Sequence, residues 1–301
     1  MKSQDKTAVA TIRKVTMVGF WINALLVVLK LFFGYWGKSD ALVADGYHSV
    51  SDFVTDIIVI VFAGIAYKSA DTDHPYGHGK FETLASLIIG IILMGVAVFL
   101  GYEGMVTITE YLRGHTLPKP EVLTIVVAIV SIFLKEYCFR YTRKNGLKIG
   151  SNALLANAEH HRSDAVSSIA TVIGVTLSFA LGESWRICDP IASIIISIMI
   201  AYSAVVISRE ALNELLEISL PGKEISEIAK ISNEVEGVRK IHNLRGRRNG
   251  HSKIIEMNVH VDPEISVRDG HTIANKIEKE IQRQLGHDVI IYIHIEPDSN
   301  K

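Results

Sequence analysis

The chain has 301 residues, 49% of them hydrophobic, and a positive mean hydropathy, which argues for long apolar spans rather than a water-soluble globule. Its formal net charge is −1, so no overall basic field favours nucleic acid. Its two cysteines, Cys138 and Cys188, stand far apart with no CxxC spacing, which excludes a disulfide framework and a thiolate metal site.

Residues 1–14 are polar and run straight into an apolar segment with no small-residue cleavage site. That predicts a cytoplasmic lead-in to a first membrane span, not a removable signal peptide. Apolar segments lie at 15–36, 40–66, 82–103, 121–141, 152–181 and 190–208. As helices rising about 1.5 Å per residue, each can cross a hydrocarbon core of roughly 30 Å, so a six-span domain is expected over 15–208. The second and fifth segments are interrupted by carboxylates and histidines. Gly37-Lys38-Ser39-Asp40 and Arg143-Lys144-Asn145-Gly146 carry turn chemistry and are expected to separate spans. One set of loops holds Lys2, Lys6, Arg13, Lys14, Lys68, Lys80, Arg140, Arg143, Lys144 and Lys148. The other offers only Lys38, Arg113, Lys119 and Arg186. The positive-inside rule then puts the amino terminus, and after six spans the tail, in the cytoplasm. A plasma (inner) membrane of bacterial type is the expected location.

The tail, 209–301, is charged and has no spanning run. Helical spacing over 222–235 and 267–285, with strand-like runs at 238–247, 252–262 and 288–296, predicts an αββαβ domain. A turn is expected at Arg248-Asn249-Gly250. The fold class is therefore an all-α six-helix transmembrane domain followed by a small α+β domain with helices on one face of its sheet.

The second span carries His48 and Asp52, the fifth His160 and Asp164. Both are i, i+4 pairs, so each pair projects from one helix face. Brought together, they supply two imidazoles and two carboxylates, a tetrahedral set that suits Zn²⁺ and tolerates Co²⁺ or Cd²⁺. Each ionised carboxylate at mid-membrane costs roughly 2.5–3.5 kcal/mol, and a divalent cation offsets that cost. The competing reading pairs these groups with cations on the helices, such as Lys30 or Arg162, or sets them near an interface in water. Asp45 and Asp56 share part of the same helix face and read equally as ligands or as the plainer alternative, partners of the ligands or water-facing carboxylates. His161 points about 100° away from His160 and reads as a surface residue or a support for the ligands.

Between spans two and three, Asp71, His74 and His78 lie within eight residues. They read either as an exposed metal site or as a tight turn made by Pro75 and the neighbouring glycines. Half of the twelve histidines fall in the tail: His242, His251, His260, His271, His287 and His294. His260 with Asp262, and His294 with Glu296, stand two apart on strands and so share a face. His251 and His287 fall in expected turns.

The doubled HxxxD, the Asp-x-x-His-x-x-x-His-Gly-Lys loop and the closing run from Asp288 through His294-Ile295-Glu296-Pro297 together resemble the cation diffusion facilitators. The resemblance runs from about residue 15 to 297. It implies a homodimeric exporter of divalent metal driven by inward proton flow, with a ferredoxin-like cytoplasmic domain at the dimer contact. By position, His48, Asp52, His160 and Asp164 match that family's transport site, and Asp71, His74 and His78 match its loop site. His242, His260, His271, His294 and Glu296 match its cytoplasmic cluster. Lys80 and Glu217 match a charge interlock between the third span and the start of the tail. Histidine at position 48 resembles the zinc-preferring members, whereas Asn258 stands where some relatives have histidine.

Zn²⁺ is thus the expected substrate and regulatory ligand, with Cd²⁺, Co²⁺, Fe²⁺ and Mn²⁺ as alternatives. Expected partners are a second copy of the chain, lipid, metal ions and protons, with neither nucleic acid nor nucleotide, since no GxxxxGK[ST] occurs. Two rivals remain: a membrane metallohydrolase, although there is no HExxH and no nucleophile setting, and a membrane metal-sensing receptor. An enzyme is not expected.

Overall fold

The computed structural model describes residues 3–66, 68, 70–149, 152–250, 252–286 and 289–298. His251, His287 and Asp288, and the side chains of Lys2, Lys6, Arg13, Asp56 and His160, lie outside the described residues. Six long helices come first: α1 (Ser3–Trp36), α2 (Asp40–Ala66), α3 (Lys80–Leu112), α4 (Val122–Ile149), α5 (Asn152–Ala180) and α6 (Cys188–Leu215). The tail follows as α7 (Gly222–Asn233), β1 (Lys240–Asn249), β2 (Ser252–Val261), α8 (Val267–Leu285) and β3 (Val289–Pro297). This is the expected order of elements.

Among the described residues, five helices are long and apolar enough to cross a membrane: α1, α3, α4, α5 and α6. The remaining long helix, α2, has 27 residues and runs past several side chains outside the described set. Trp21, Phe32, Phe133, Ile198 and Tyr202 stand more than 60% exposed on these helices. That outward apolar surface is what lipid contact requires, because lipid solvates it as well as a protein core would. Inward, Leu26, Leu42, Ala128, Val175, Ile196 and Ile200 are buried.

The expected turn at Arg143-Lys144-Asn145-Gly146 is not a turn. α4 continues through it to Ile149, with Asn145 Nδ2 donating to the Tyr141 carbonyl at 2.8 Å. Gly146 serves close helix contact instead: a Cβ there would meet Leu154 and Leu155 of α5 at 3.1–3.3 Å. The other break, Gly37-Lys38-Ser39, is a turn, with Lys38 at φ 55. There Ser39 Oγ accepts from Leu42 N at 3.2 Å and donates to Asp189 Oδ1 at 2.7 Å. Asp189 also accepts from Asp40 N at 2.5 Å, so a carboxylate of α6 satisfies the open N–H groups that start α2.

The chain divides into two compact units, one of residues 1–57 and 89–206, the other of 58–88 and 207–301. In the second, β1 pairs antiparallel with β2, and β2 parallel with β3, in the order β1-β2-β3. A parallel neighbour needs a crossover, and α8 supplies it. Ile273, Ile277 and Ile281 of α8 recur every four residues and are buried, together with Ile228 and Ile231 of α7, against Ile255, Met257 and Val259 of β2. Ser266 caps α8 by accepting from Asp269 N at 3.1 Å, and Gly286, at φ 94, ends it.

Candidate metal centres

Three groups of metal-ligating side chains come together among the described residues. In each, the candidate ligand atoms all lie within 4.8 Å of one another: His48, Asp52 and Asp164; Asp71, His74 and His78; His242, His260 and Glu296.

The first group joins α2 to α5. His48 Nε2 is 3.9 Å from Asp164 Oδ1, and Asp52 and Asp164 are 9% and 5% exposed. His48 Nδ1 is buried without a hydrogen-bond partner among the described residues. His160 shares α5 with Asp164 one helical turn away. Asp45 is not part of this group. Lys30 Nζ of α1 stands 2.8 Å from its Oδ2 and also donates to Ser49 and Ser168 at 3.2 Å. Ser168 in turn donates to Asp45 Oδ2 at 3.0 Å.

The pairing of intramembrane carboxylates with helix-borne cations is therefore partly realised, with one unexpected partner. Lys30 takes Asp45. Arg162 faces Glu159 at 3.9 Å and lies over the Phe139 ring. Asp164 is instead met by Lys135 of α4, whose Nζ is 2.6 Å from Oδ2. Sequence reading passed over Lys135, although an ionisable residue inside the fourth apolar run is the signal that singled out the carboxylates. His161 is 3% exposed, and its Nε2 would lie 3.2 Å from a Cβ placed on Gly19 of α1. It is not a surface residue.

The second group is made by its own loop. Asp71 Oδ1 accepts from His74 N at 2.8 Å and Asp73 N at 3.0 Å, the local turn that aspartate favours. This draws His74 Nδ1 and His78 Nε2 each to 3.4 Å from the Asp71 carboxylate. The backbone N–H of His74, with lesser help from Asp73 and the two imidazoles, holds the Asp71 carboxyl below the usual carboxylate range. The loop is pressed onto the β1–β2 turn, for a Cβ on Gly79 would collide with the Asn249 carbonyl. Next to it Lys80 Nζ meets Glu217 Oε1 at 2.8 Å. Glu214 Oε1 accepts from Thr83 Oγ1 at 2.6 Å and Gly250 N at 2.5 Å.

The third group lies on the sheet. Glu296 stands opposite His260 in the β2–β3 register. Glu296 Oε2 is 2.9 Å from His242 Nε2 and 3.1 Å from His260 Nε2, while Oε1 accepts from Asn258 at 2.6 Å. The contact with His242, then those with Asn258 and His260, holds the Glu296 carboxyl below its ordinary value. His294 reaches only the other oxygen, at 3.5 Å, and is 71% exposed. His271 is exposed on α8, beside a groove lined by Ile265 and Ile295. Asp262 turns to Arg239 at 2.5 Å and not to His260.

The description "cation efflux transmembrane domain" fits residues 16–216, and "cation efflux protein, cytoplasmic domain" fits 220–298. The chain is 35% identical over 289 residues to the manganese efflux system protein MneP of Bacillus subtilis (strain 168), covering 95% of this chain and 96% of that one. It is 34% identical to metal tolerance protein C1 of Arabidopsis thaliana, covering 94% of this chain and 62% of that one. Identity to the magnetosome protein MamB of Magnetospira sp. (strain QH-2) is 31%, with 92% of each chain covered. Among solved structures, CzrB in a Zn form aligns at 22% identity and a TM-score of 0.25, covering 28% of this chain and 94% of that one. The chain belongs to the cation diffusion facilitator family, as a membrane-integral cation efflux protein with a C-terminal α+β domain.

Proposed function

We propose that this protein exports a divalent transition-metal ion, zinc foremost, from the cytoplasm across the plasma membrane in exchange for protons. It does so as a homodimer, with His48, Asp52, His160 and Asp164 as the transport site. The observation that carries this reading is the convergence of His48, Asp52 and Asp164 from two helices onto one small volume. Carboxylates inside an apolar bundle need a cation, and paired imidazole and carboxylate donors suit zinc and cobalt. Protons and metal compete for the same lone pairs, so loading the metal releases protons and reprotonation on the far side expels it. That competition couples the two flows without a nucleotide. Asp71, His74 and His78, and the group around Glu296, are then metal sites in which occupancy biases the transporter.

A second reading, manganese as the substrate, is favoured by the names of two relatives, the manganese efflux proteins MneP and MneS, at 35% and 30% identity. Purified protein in liposomes, offered zinc or manganese with and without an imposed pH gradient, tests both readings. Zinc flux that needs the gradient supports the first. Manganese flux with zinc excluded replaces it by the second, and flux indifferent to the gradient removes proton exchange.

A further inference from the structure

The α2/α5 site has a cation of its own. Lys135 is 1% exposed, and its ammonium lies 2.6 Å from Asp164 Oδ2. The other oxygen of the same carboxylate is the one that faces His48. Asp52 and Asp45 are also within electrostatic range of the ammonium. Lys30, the other buried lysine among the described residues, is differently committed: it donates to Asp45, Ser49 and Ser168, none of them in the ligand group. Lys135 touches a candidate ligand, Asp164.

We propose that Lys135 is a built-in counter-cation of the transport site, neutralising Asp164 when no metal is bound and opposing the metal when it arrives. The inference rests on the reading of the α2/α5 site given above. Its basis is charge. Counted over Asp52, Asp164 and Lys135, the groups are singly negative before metal binds and singly positive with a divalent ion in place. Without the ammonium, the loaded site is neutral. In a buried, low-dielectric bundle that difference acts over a few ångströms and weakens binding. A transporter gains from this, because an ion held too tightly is not released.

The test is equilibrium binding of zinc, and separately of manganese, to the full chain in lipid nanodiscs at neutral pH. Asp71→Ala and Glu296→Ala are included in every sample so that the α2/α5 site alone is read. Lys135→Met removes the charge, and Lys135→Gln removes it while keeping a donor for Asp164, which guards against a variant that fails to fold. Both are expected to bind metal about tenfold or more tightly and to release it more slowly, whereas Asp52→Ala loses binding. A lysine that served packing alone would leave affinity unchanged or lowered. Unchanged or weaker binding in the lysine variants, with binding lost in Asp52→Ala, overturns the counter-cation and leaves the transport site standing. Binding that survives Asp52→Ala overturns the site, and the counter-cation with it.

Discussion

Lys30 of α1 and Asp45 of α2 form an ion pair of 2.8 Å with both side chains 1% exposed, and Ser168 of α5 closes the arrangement by donating to the same carboxylate. Three helices meet at one buried charge pair. Breaking such a pair from one side leaves a lone charge in an apolar interior and costs about 3–5 kcal/mol. Lys30→Met or Asp45→Asn alone should therefore lower thermal stability in detergent markedly. The double variant should recover most of the loss, because no orphan charge remains. Equal losses in the single and double variants would show that shape, not charge, holds the helices there.

The loop site depends on the glycine beneath it. A Cβ on Gly79 would run into the Asn249 carbonyl and meet the Asn249 side chain at 3.3 Å, and overpacking of this kind costs about 1–3 kcal/mol. Gly79→Ala is expected to lift the loop off the β1–β2 turn and weaken metal binding by Asp71, His74 and His78. Hydrogen exchange should quicken at the same time in residues 70–80. Zinc binding measured in a variant lacking the other two sites checks this.

Glu214 and Glu217 stand a turn apart but carry different burdens. Glu217 meets Lys80 and Arg247 in water, at 45% exposure, where ion pairs contribute little. Glu214 is half-buried and accepts from both Thr83 and the Gly250 amide, bonds worth about 1.5–3 kcal/mol when the acceptor is charged. Glu214→Ala should lower the melting temperature more than Glu217→Ala, and high salt should erase the Glu217 effect but not that of Glu214.

Acid should loosen the sheet cluster. The contacts with His242, Asn258 and His260 hold the Glu296 carboxyl below its ordinary value. A depressed value means that its stabilisation is complete above the unfolded value of about 4.3 and is lost as pH falls through the lower folded one. With a chelator present, hydrogen exchange of the β3 amides should accelerate as pH drops through that window. Glu296→Gln should flatten the response.

Much of this was legible in the sequence because it is periodic. Four-residue spacing placed Ile273, Ile277 and Ile281 on one face of α8, and HxxxD put two candidate ligands, His48 and Asp52, on one face of α2. Strand alternation put His294 beside Glu296 but could not tell which histidine from another strand would face it, since register depends on non-local pairing. His242 reached Glu296 across β2, past a bulge between His242 and Arg245, and only the resemblance had pointed to it. Buried cations were the harder case. Their partners lie on other helices, so nothing local distinguishes Lys135, bound to Asp164, from Lys30, bound to Asp45. The apparent turn at Gly146 misled because glycine serves close helix contact as readily as it serves turns.

Zinc flux into liposomes under an imposed pH gradient decides whether metal crosses the membrane through the α2/α5 site. Wild-type protein is compared with Asp52→Ala, and correct folding of both is verified by their melting curves. Gradient-dependent flux is expected in the wild type, and its loss, by about a hundredfold or more, in the variant. Equal flux from the two proteins would contradict passage through that site.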